Sequence, residues 1–359
     1  MASSSRRVVV SELGEDPLAT LDQHVRLEPA LPPDPSQRAP HEVIVDVRSA
    51  AVGWVDLLML SGQYQHEARP PYTPGLEYAG EVSWAGPASG FRPGDRVVVD
   101  PILAGPRSSG PYRAWGGFAS QAVAPGEAVH GIPGALSFDQ AAGLLGSYET
   151  AYHCLVARGR LQAGETILVH GASGSTGLAA VHIARLLGAT VIATGRSPEK
   201  LAVVREQGAH HVIAGASFRD EVKQLTSGRG VDVVYDPVGG DISIESLRCV
   251  RFGARFLIVG WAATPFVADG KGRRGAPRAN QLPTNLVLMK GLDVLGCPTV
   301  IATAMDPTLR APRLAQVLAW AEAGQIVPFV SHVFPLDRFQ DAMRAKWSGE
   351  VIGGCVLHP

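Results

Sequence analysis

The sequence predicts an α/β protein of two domains, one built from short β-strands in a compact, barrel-like arrangement and one built on a doubly wound parallel sheet. Three observations predict it. The chain has 359 residues, more than a single hydrophobic core ordinarily serves. Its first third holds short strand-like runs punctuated by Pro, Gly and Asp. From Glu165 onward, strand-like and helix-like stretches alternate, which gives parallel strands with crossover helices on both faces. The last strand-like pieces look like a return to the first domain. The expected division is therefore 1–135 completed by 326–359, with 136–325 between them.

The elements are justified in order. Residues 41–47 alternate with period two, as a half-buried strand does. Residues 77–82, 96–100 and 118–123 are further short strands, and the turn at 91–95 leads into the second of these. Ser137 has the N-cap position of a helix. Then follow a strand at 166–170, a helix at 177–187 ending at Gly188, a strand at 190–194, and a helix at 198–207 ending at Gly208. Strands at 212–213, 231–235 and 255–259 continue the series. The segment 263–280 carries Lys271, Arg273, Arg274 and Arg278 among Gly and Pro and reads as an exposed loop. A helix at 313–323 and strands at 329–334 and 355–357 close the chain.

Composition excludes several function classes. Hydrophobic residues make up 46% and charged residues 18%, enough for large packed cores. A formal net charge of −1 gives no electrostatic reason to expect nucleic acid or an acidic membrane as partner. Cys154, Cys249, Cys297 and Cys355 show no CxxC spacing, so neither a disulfide framework nor a structural zinc site follows. Reduced thiols in a cytoplasmic protein are the expectation. Residues 1–10 lack the long apolar run of a secretory signal. No run of about 18 uninterrupted apolar residues predicts a membrane span.

The stretch from Thr166 to Leu187 has a strand, a glycine turn and a helix in the order of a Rossmann-type dinucleotide site. The phosphate-binding turn is Ala172-Ser173-Gly174-Ser175-Thr176-Gly177, with Ala172 in the first glycine position of GxGxxG. Gly174 lets the backbone approach a pyrophosphate, Gly177 lets the helix pack on the strand, and the helix N-terminus offers amides to the phosphates. An NAD site places Asp or Glu at the end of the second strand, about 20 residues on. Here that strand runs out through Thr194, Gly195, Arg196, Ser197 and Lys200 without a carboxylate. Glu199 stands in the helix start, where a cap role explains it. Arg196, Ser197 and Lys200 suit a 2′-phosphate, so NADP(H) is the expected cofactor. Val259, Gly260 and Trp261, at the end of a parallel strand, are expected beside the nicotinamide.

With these motifs in place, the chain resembles the zinc-independent quinone oxidoreductases of the medium-chain dehydrogenase/reductase superfamily over nearly its whole length. The matching stretches are 55–64, 73–82, 91–97, 116–119, 150–152, 168–174, 231–240 and 282–290. The resemblance implies a GroES-like catalytic domain closed by the C-terminal segment, a Rossmann domain between, and a substrate cleft where they meet. It implies Asn285 and Cys297 as cofactor-side candidates, and a homodimer. Zinc-dependent relatives hold their catalytic metal with Cys, His and Cys; the matching positions here are Gly53, Leu76 and Gly146. That set cannot bind zinc. The chain also departs from the family pattern. Gly53-Trp54 replaces an Asn-led pair, and Ser175-Thr176 replaces Gly-Val. Arg196 stands where glycine is frequent, and Gly354 stands where a lysine often follows the glycine.

Without metal, the simplest chemistry is direct hydride transfer from the nicotinamide to an electron-poor π system, a quinone or an α,β-unsaturated carbonyl. Candidate substrate-pocket residues are Trp54, Asp56 and Thr150, with Tyr64 and Tyr148 as candidate hydrogen-bond donors to the acceptor oxygen. Both tyrosines read equally as packing aromatics, Asp56 reads equally as a structural anchor, and solvent can supply the proton. An enoyl-thioester reductase and a non-enzymatic NADPH-binding protein are the competing readings. The Arg273-Arg274 loop is where thioester phosphates would be expected to dock.

Overall fold

The computed structural model describes residues 5–62, 64, 68–108, 110–263 and 280–359. Most of the expected basic loop, including Lys271, Arg273, Arg274 and Arg278, lies outside the described residues. The described chain forms two compact units, 5–146 with 321–359 and 147–263 with 280–320. The first change-over comes at Gly146/Ser147, later than the expected 135/136.

In chain order the first unit holds β1 (Arg6–Val10), α1 (Pro17–His24), β2 (Val25–Pro29), β3 (Glu42–Ala51), α2 (Trp54–Leu60), β4 (Glu77–Ala85) and β5 (Arg96–Val99). It continues with β6 (Gln121–Pro125), β7 (Val129–Gly131) and α3 (Phe138–Ala142). The chain crosses units inside α4 (Leu145–Tyr152), which runs on into a π-helical turn at His153–Arg158. The second unit alternates β8 (Thr166–Val169), α5 (Ser175–Leu186), β9 (Thr190–Gly195), α6 (Pro198–Glu206), β10 (His211–Ala214), α7 (Arg219–Leu225), β11 (Val231–Asp236), α8 (Asp241–Ser246) and β12 (Val250–Ile258). After α9 (Thr284–Lys290), β13 (Asp293–Gly296) and α10 (Thr299–Met305), the chain returns inside α11 (Arg310–Glu322). β14 (Val330–Pro335), α12 (Phe339–Ser348) and β15 (Gly354–His358) complete the first unit.

The first unit is the GroES-like one. Its main sheet runs β14-β15-β3-β4-β5-β7, with β6 also on β3. Pairing is antiparallel except between β14 and β15. The alternation expected at 41–47 holds only in part: Val43, Val45 and Val47 belong to the core, together with Tyr78, Val97, Val99 and Phe118, but Ile44 between them is buried as well. α3, capped reciprocally by Ser137 and Gln140, packs on β3, β4 and β5, which is why the boundary moves past it. The strand expected at 118–123 lies at Gln121–Pro125 instead. Phe118 is fully buried, and its backbone bonds Pro74 and Val8 rather than a ladder partner.

The second unit is a Rossmann domain. All six strands are parallel in the order β10-β9-β8-β11-β12-β13, so the strand order reverses between β8 and β11. β11 is buried at all six positions, as a strand covered on both faces must be. β12 starts at Val250, earlier than the expected 255, because an irregularity in its pairing with β11 lets two segments form one strand. Among the described residues, no helix is long and apolar enough to cross a membrane.

Candidate active site

The carboxyl edge of the parallel sheet is lined with glycine. Gly171 and Gly174 follow β8, Gly195 ends β9, Gly239 and Gly240 follow β11, Gly260 follows β12, and Gly296 ends β13. The turn after β8 depends on Gly171, one residue before the expected motif. Its φ of +55° carries the chain out of the strand, and Gly174 N–H donates back to its carbonyl at 2.9 Å. Ala172, in the first glycine position of the motif, is fully buried, and its N–H donates to Thr194 O at 3.1 Å. A Cβ on Gly177 would stand 2.3 Å from Gly171 O, so close packing of α5 on the turn requires glycine there. A Cβ on Gly174 meets only that same oxygen, at 3.3 Å, and Gly174 is exposed. Ser173, Ser175 and Thr176 are partly exposed, with Ser175 and Thr176 opening α5. A helix's first turn carries amides without intrahelical partners, and this edge accordingly fits a pyrophosphate.

Two buried hydrogen-bond networks hold the edge. His170 Nδ1 lies 2.7 Å from Thr194 Oγ1, and its Nε2 lies 2.7 Å from Ser246 Oγ. Ser246 Oγ donates to Ile242 O, so it accepts from His170, and Nε2 carries the imidazole proton. Nδ1 then accepts from the Thr194 hydroxyl. Burial keeps this imidazole neutral, lowering its pKa to about 4 against the opposing charge of Asp236. The side chain thereby ties the β8 turn to the end of β9 and to α8. Asp236, at the end of β11, accepts from Val238 N and Gly239 N at 2.8 and 2.9 Å and from the Ser243 hydroxyl. Its own carbonyl receives Val259 N and Gly260 N, so one residue orders the loops after β11 and β12. Neither network is signalled by the GxGxxG pattern. The polar residues His170 and Asp236, each closing an apolar strand, are the only sequence hint.

At the end of β9, Arg196 is exposed, while Ser197 and Lys200 are partly buried. Ser197 is the N-cap of α6: its hydroxyl accepts from Lys200 N at 3.3 Å and donates to Glu199 at 2.6 Å. That hydrogen bond lowers the Glu199 pKa and accounts for the acid as a capping partner. Val259 and Gly260 are partly exposed, and Trp261 is 44% exposed. Asn285 is exposed on α9. Cys297 is 4% exposed and hydrogen-bonded to Cys154, which lowers the Cys297 thiol pKa, while burial raises that of Cys154. Tyr148 is 3% exposed, with its hydroxyl 2.7 Å from His182 Nδ1 and burial raising its pKa. That hydroxyl is engaged inside the second unit. Thr150 is partly buried on α4.

In the first unit, Asp56 is an anchor. It is 2% exposed and accepts N–H bonds from Gly53, Gly75 and Leu76 at 2.9, 3.0 and 3.2 Å. Burial raises its pKa to about 6, against those three bonds and the charge of Arg107. The zinc-ligand positions are occupied by other chemistry. A Cβ on Gly53 would stand 3.0 Å from an Asp56 oxygen, and one on Gly146 would stand 1.7 Å from a Glu77 oxygen. Leu76 is 4% exposed. Among the described residues no group of three or more His, Cys, Asp or Glu could hold a metal ion. Trp54, at the start of α2, stacks on Trp347 of α12 with centroids 4.7 Å apart and planes 9° from parallel. Tyr64 is partly buried against the core of this unit. Lys346, next to Trp347, faces Cys355, Glu77 and Asp56 and donates to Gly353 O at 3.2 Å. Trp347 and Lys346 lie about 290 residues from Trp54 and Asp56, too far for any local pattern to pair them.

Residues 39–134 match the family model of the alcohol dehydrogenase GroES-like domain, and residues 175–300 match that of the zinc-binding dehydrogenase. The chain is 32% identical over 358 residues to a quinone oxidoreductase-like protein 2 homolog of Nematostella vectensis, covering 97% of this chain and 88% of that one. It is 29% identical to the quinone oxidoreductase of Homo sapiens, over 84% of each chain. The solved structure of a probable oxidoreductase from Mycobacterium abscessus superposes with a TM-score of 0.80 at 28% identity, over 99% of both chains. With two matching domains, near-complete coverage and a Gly, Leu, Gly set in the metal positions, this chain belongs to the zinc-independent quinone oxidoreductases of the medium-chain dehydrogenase/reductase superfamily and is an oxidoreductase.

Proposed function

We propose that the protein is an NADPH-dependent reductase that delivers a hydride, without metal, to a quinone or an α,β-unsaturated carbonyl. One observation carries the reading. Positions that would carry zinc ligands hold Gly53, Leu76 and Gly146, and the carboxylates of Asp56 and Glu77 fill the space beside the two glycines. The glycine-lined sheet edge fits a dinucleotide. When bound, the nicotinamide supplies the hydride. The α5 amides and residues 172–177 hold its pyrophosphate. Arg196, exposed at a strand end without an acid, would bind the 2′-phosphate with Ser197 and Lys200. Val259, Gly260 and Trp261 flank the nicotinamide, with Asn285 and Cys297 on the cofactor side. Trp54, Tyr64 and Thr150 are the residues proposed to serve the acceptor, and Asp56 anchors the turn that carries Trp54. Tyr64 and Tyr148 are the candidate tyrosines that orient the acceptor, and the Tyr148 hydroxyl is held by His182.

Loss of NADPH absorbance in stopped flow, with a panel of quinones, enones and enoyl thioesters, tests this. Turnover of quinones or enones is the expected result. Preference for CoA or phosphopantetheine thioesters would move the protein to biosynthetic enoyl reduction, and tight NADPH binding without turnover of any acceptor would end the enzyme reading. Cofactor choice is tested by binding NADPH and NADH to the native protein, Arg196→Ala and Lys200→Ala. Each variant is expected to lose about tenfold in NADPH affinity, equivalent to about 1.4 kcal/mol, with NADH unchanged. Equal native affinities would sink the NADP assignment.

A further inference from the structure

We propose that a cavity of the first unit binds a small aromatic carboxylate, with Arg6 and Arg7 taking the charge and Trp115 and Leu31 the ring. The proposal goes beyond the reductase reading and does not rest on it. The cavity has a volume of about 300 Å³, the lower end of the range for small-molecule sites. The start of β1, the end of β2 and the segments carrying Thr73 and Trp115 enclose it. Hydrogen bonds fix these walls. Arg6 N donates to Ser120 Oγ at 3.1 Å, Ser120 N donates to Arg6 O at 2.8 Å, and Ala30 N donates to Ser5 O at 2.8 Å. A Cβ on Gly116 would stand 2.1 Å from Thr73 O, so these two lining segments meet backbone on backbone.

The lining selects the chemistry. Its charged side chains are Arg6 and Arg7, and no Asp or Glu lines the cavity. Among the described residues neither guanidinium has a hydrogen-bond or ion-pair partner. Glu28 stands opposite Arg7 on β2 without forming an ion pair with it. Asp46, outside the lining, accepts from Gln121 Nε2 at 2.7 Å, so its charge is engaged there. Thr73 lines the cavity at 3% exposure, and its hydroxyl has no hydrogen-bond partner among the described residues. Two guanidiniums and a spare hydroxyl together suit an anion, and a guanidinium matches a carboxylate with two parallel N–H bonds. The rest of the wall is apolar. Trp115 is partly exposed and packs on the core, and Leu31 is 93% exposed, an apolar side chain with little cover of its own. A planar ring laid on Trp115 covers such a wall, and the volume admits one ring with its carboxylate.

The test is calorimetric titration of the full chain at neutral pH with benzoate, benzamide and inorganic phosphate, and it needs no turnover. Benzoate is expected to bind at a single site. Benzamide keeps the ring without the charge, and phosphate keeps a charge without the ring, so each should bind at least about tenfold more weakly. Arg6→Gln and Arg7→Gln should each weaken benzoate about tenfold, the loss of a charge-assisted hydrogen bond. Leu31→Asp fixes the place: it sets a negative charge in the lining at a residue too exposed to disturb the core. It should weaken benzoate at least as much and leave the urea midpoint where it is in the native protein. Absence of benzoate binding, benzamide or phosphate binding as tightly as benzoate, or a benzoate affinity unchanged in all three variants would each overturn the proposal.

Discussion

The two units bury opposite kinds of ionisable group beside their candidate functional residues. In the Rossmann unit it is His170, a base held neutral between two hydroxyls. In the GroES-like unit it is Asp56, an acid surrounded by three backbone amides. The histidine ties the end of β8 to Thr194 of β9 and to Ser246 of α8, 24 and 76 residues further along the chain. The aspartate fixes a short helix against a loop no more than 20 residues away, and Lys346 faces it from the far end of the chain. The difference teaches that the glycine turn after β8 is built by local chain order, while the groups that buttress it, like Trp347 beside Trp54, are brought in by tertiary packing.

The largest effect tests the local side of this contrast. Gly177→Val forces a side chain into the Gly171 carbonyl, 2.3 Å from the Cβ position, and is expected to cost at least about 3 kcal/mol with loss of dinucleotide binding. Urea unfolding and fluorescence titration with NADPH check this. Gly174→Ala, with a single contact at 3.3 Å, should unfold within about 1 kcal/mol of the native protein yet bind NADPH more weakly. Equal destabilisation by both would break the distinction between the packing glycine and the approach glycine.

Next in size is an opposition in pH dependence. His170 has its folded pKa lowered to about 4, so the unfolded chain takes up the proton first. Stability is lost as pH falls from about 6.5 toward 4, by about 3 kcal/mol at most. Asp56 has its folded pKa raised to about 6, so the folded chain holds the proton longer. Stability is gained as pH falls from 6 toward 4, by about 2 to 3 kcal/mol. Urea midpoints from pH 4 to 8 should therefore fall less steeply with acid in His170→Gln than in the native protein, and more steeply in Asp56→Asn. Parallel curves for all three proteins would remove the contrast. The smallest effect belongs to the stacked indoles of Trp54 and Trp347. Trp54→Ala should cost about 0.5 to 1.5 kcal/mol for the stack, beyond the area lost, and should raise KM for quinones without altering NADPH affinity.

The same contrast explains what could be read from the sequence. Alternation in β3, the cap at Ser137 and the strand-turn-helix around Gly174 are local patterns, and the fold class with its two sheets followed from them. The acid-free end of β9 was equally legible because it lies within a few residues of its strand. Gly171 has no signature in the motif because its role is a backbone angle, which the motif assigns to Ala172. His170, Thr194 and Ser246 meet only once three elements pack. Trp347 and Lys346 stand on a helix whose contact with α2 has no signature in either segment.

The glycine-lined edge of the parallel sheet has a consequence for how this protein should be dissected. Conventional scanning replaces side chains with alanine and reads what disappears. Where a ligand is held by peptide groups, that subtraction removes nothing, and a map of sensitive positions would leave the edge blank. Here the informative scan is additive. Methyl groups placed one at a time on Gly174, Gly260 and Gly296 would trace, by where they obstruct and where they are tolerated, the outline of whatever lies against the edge.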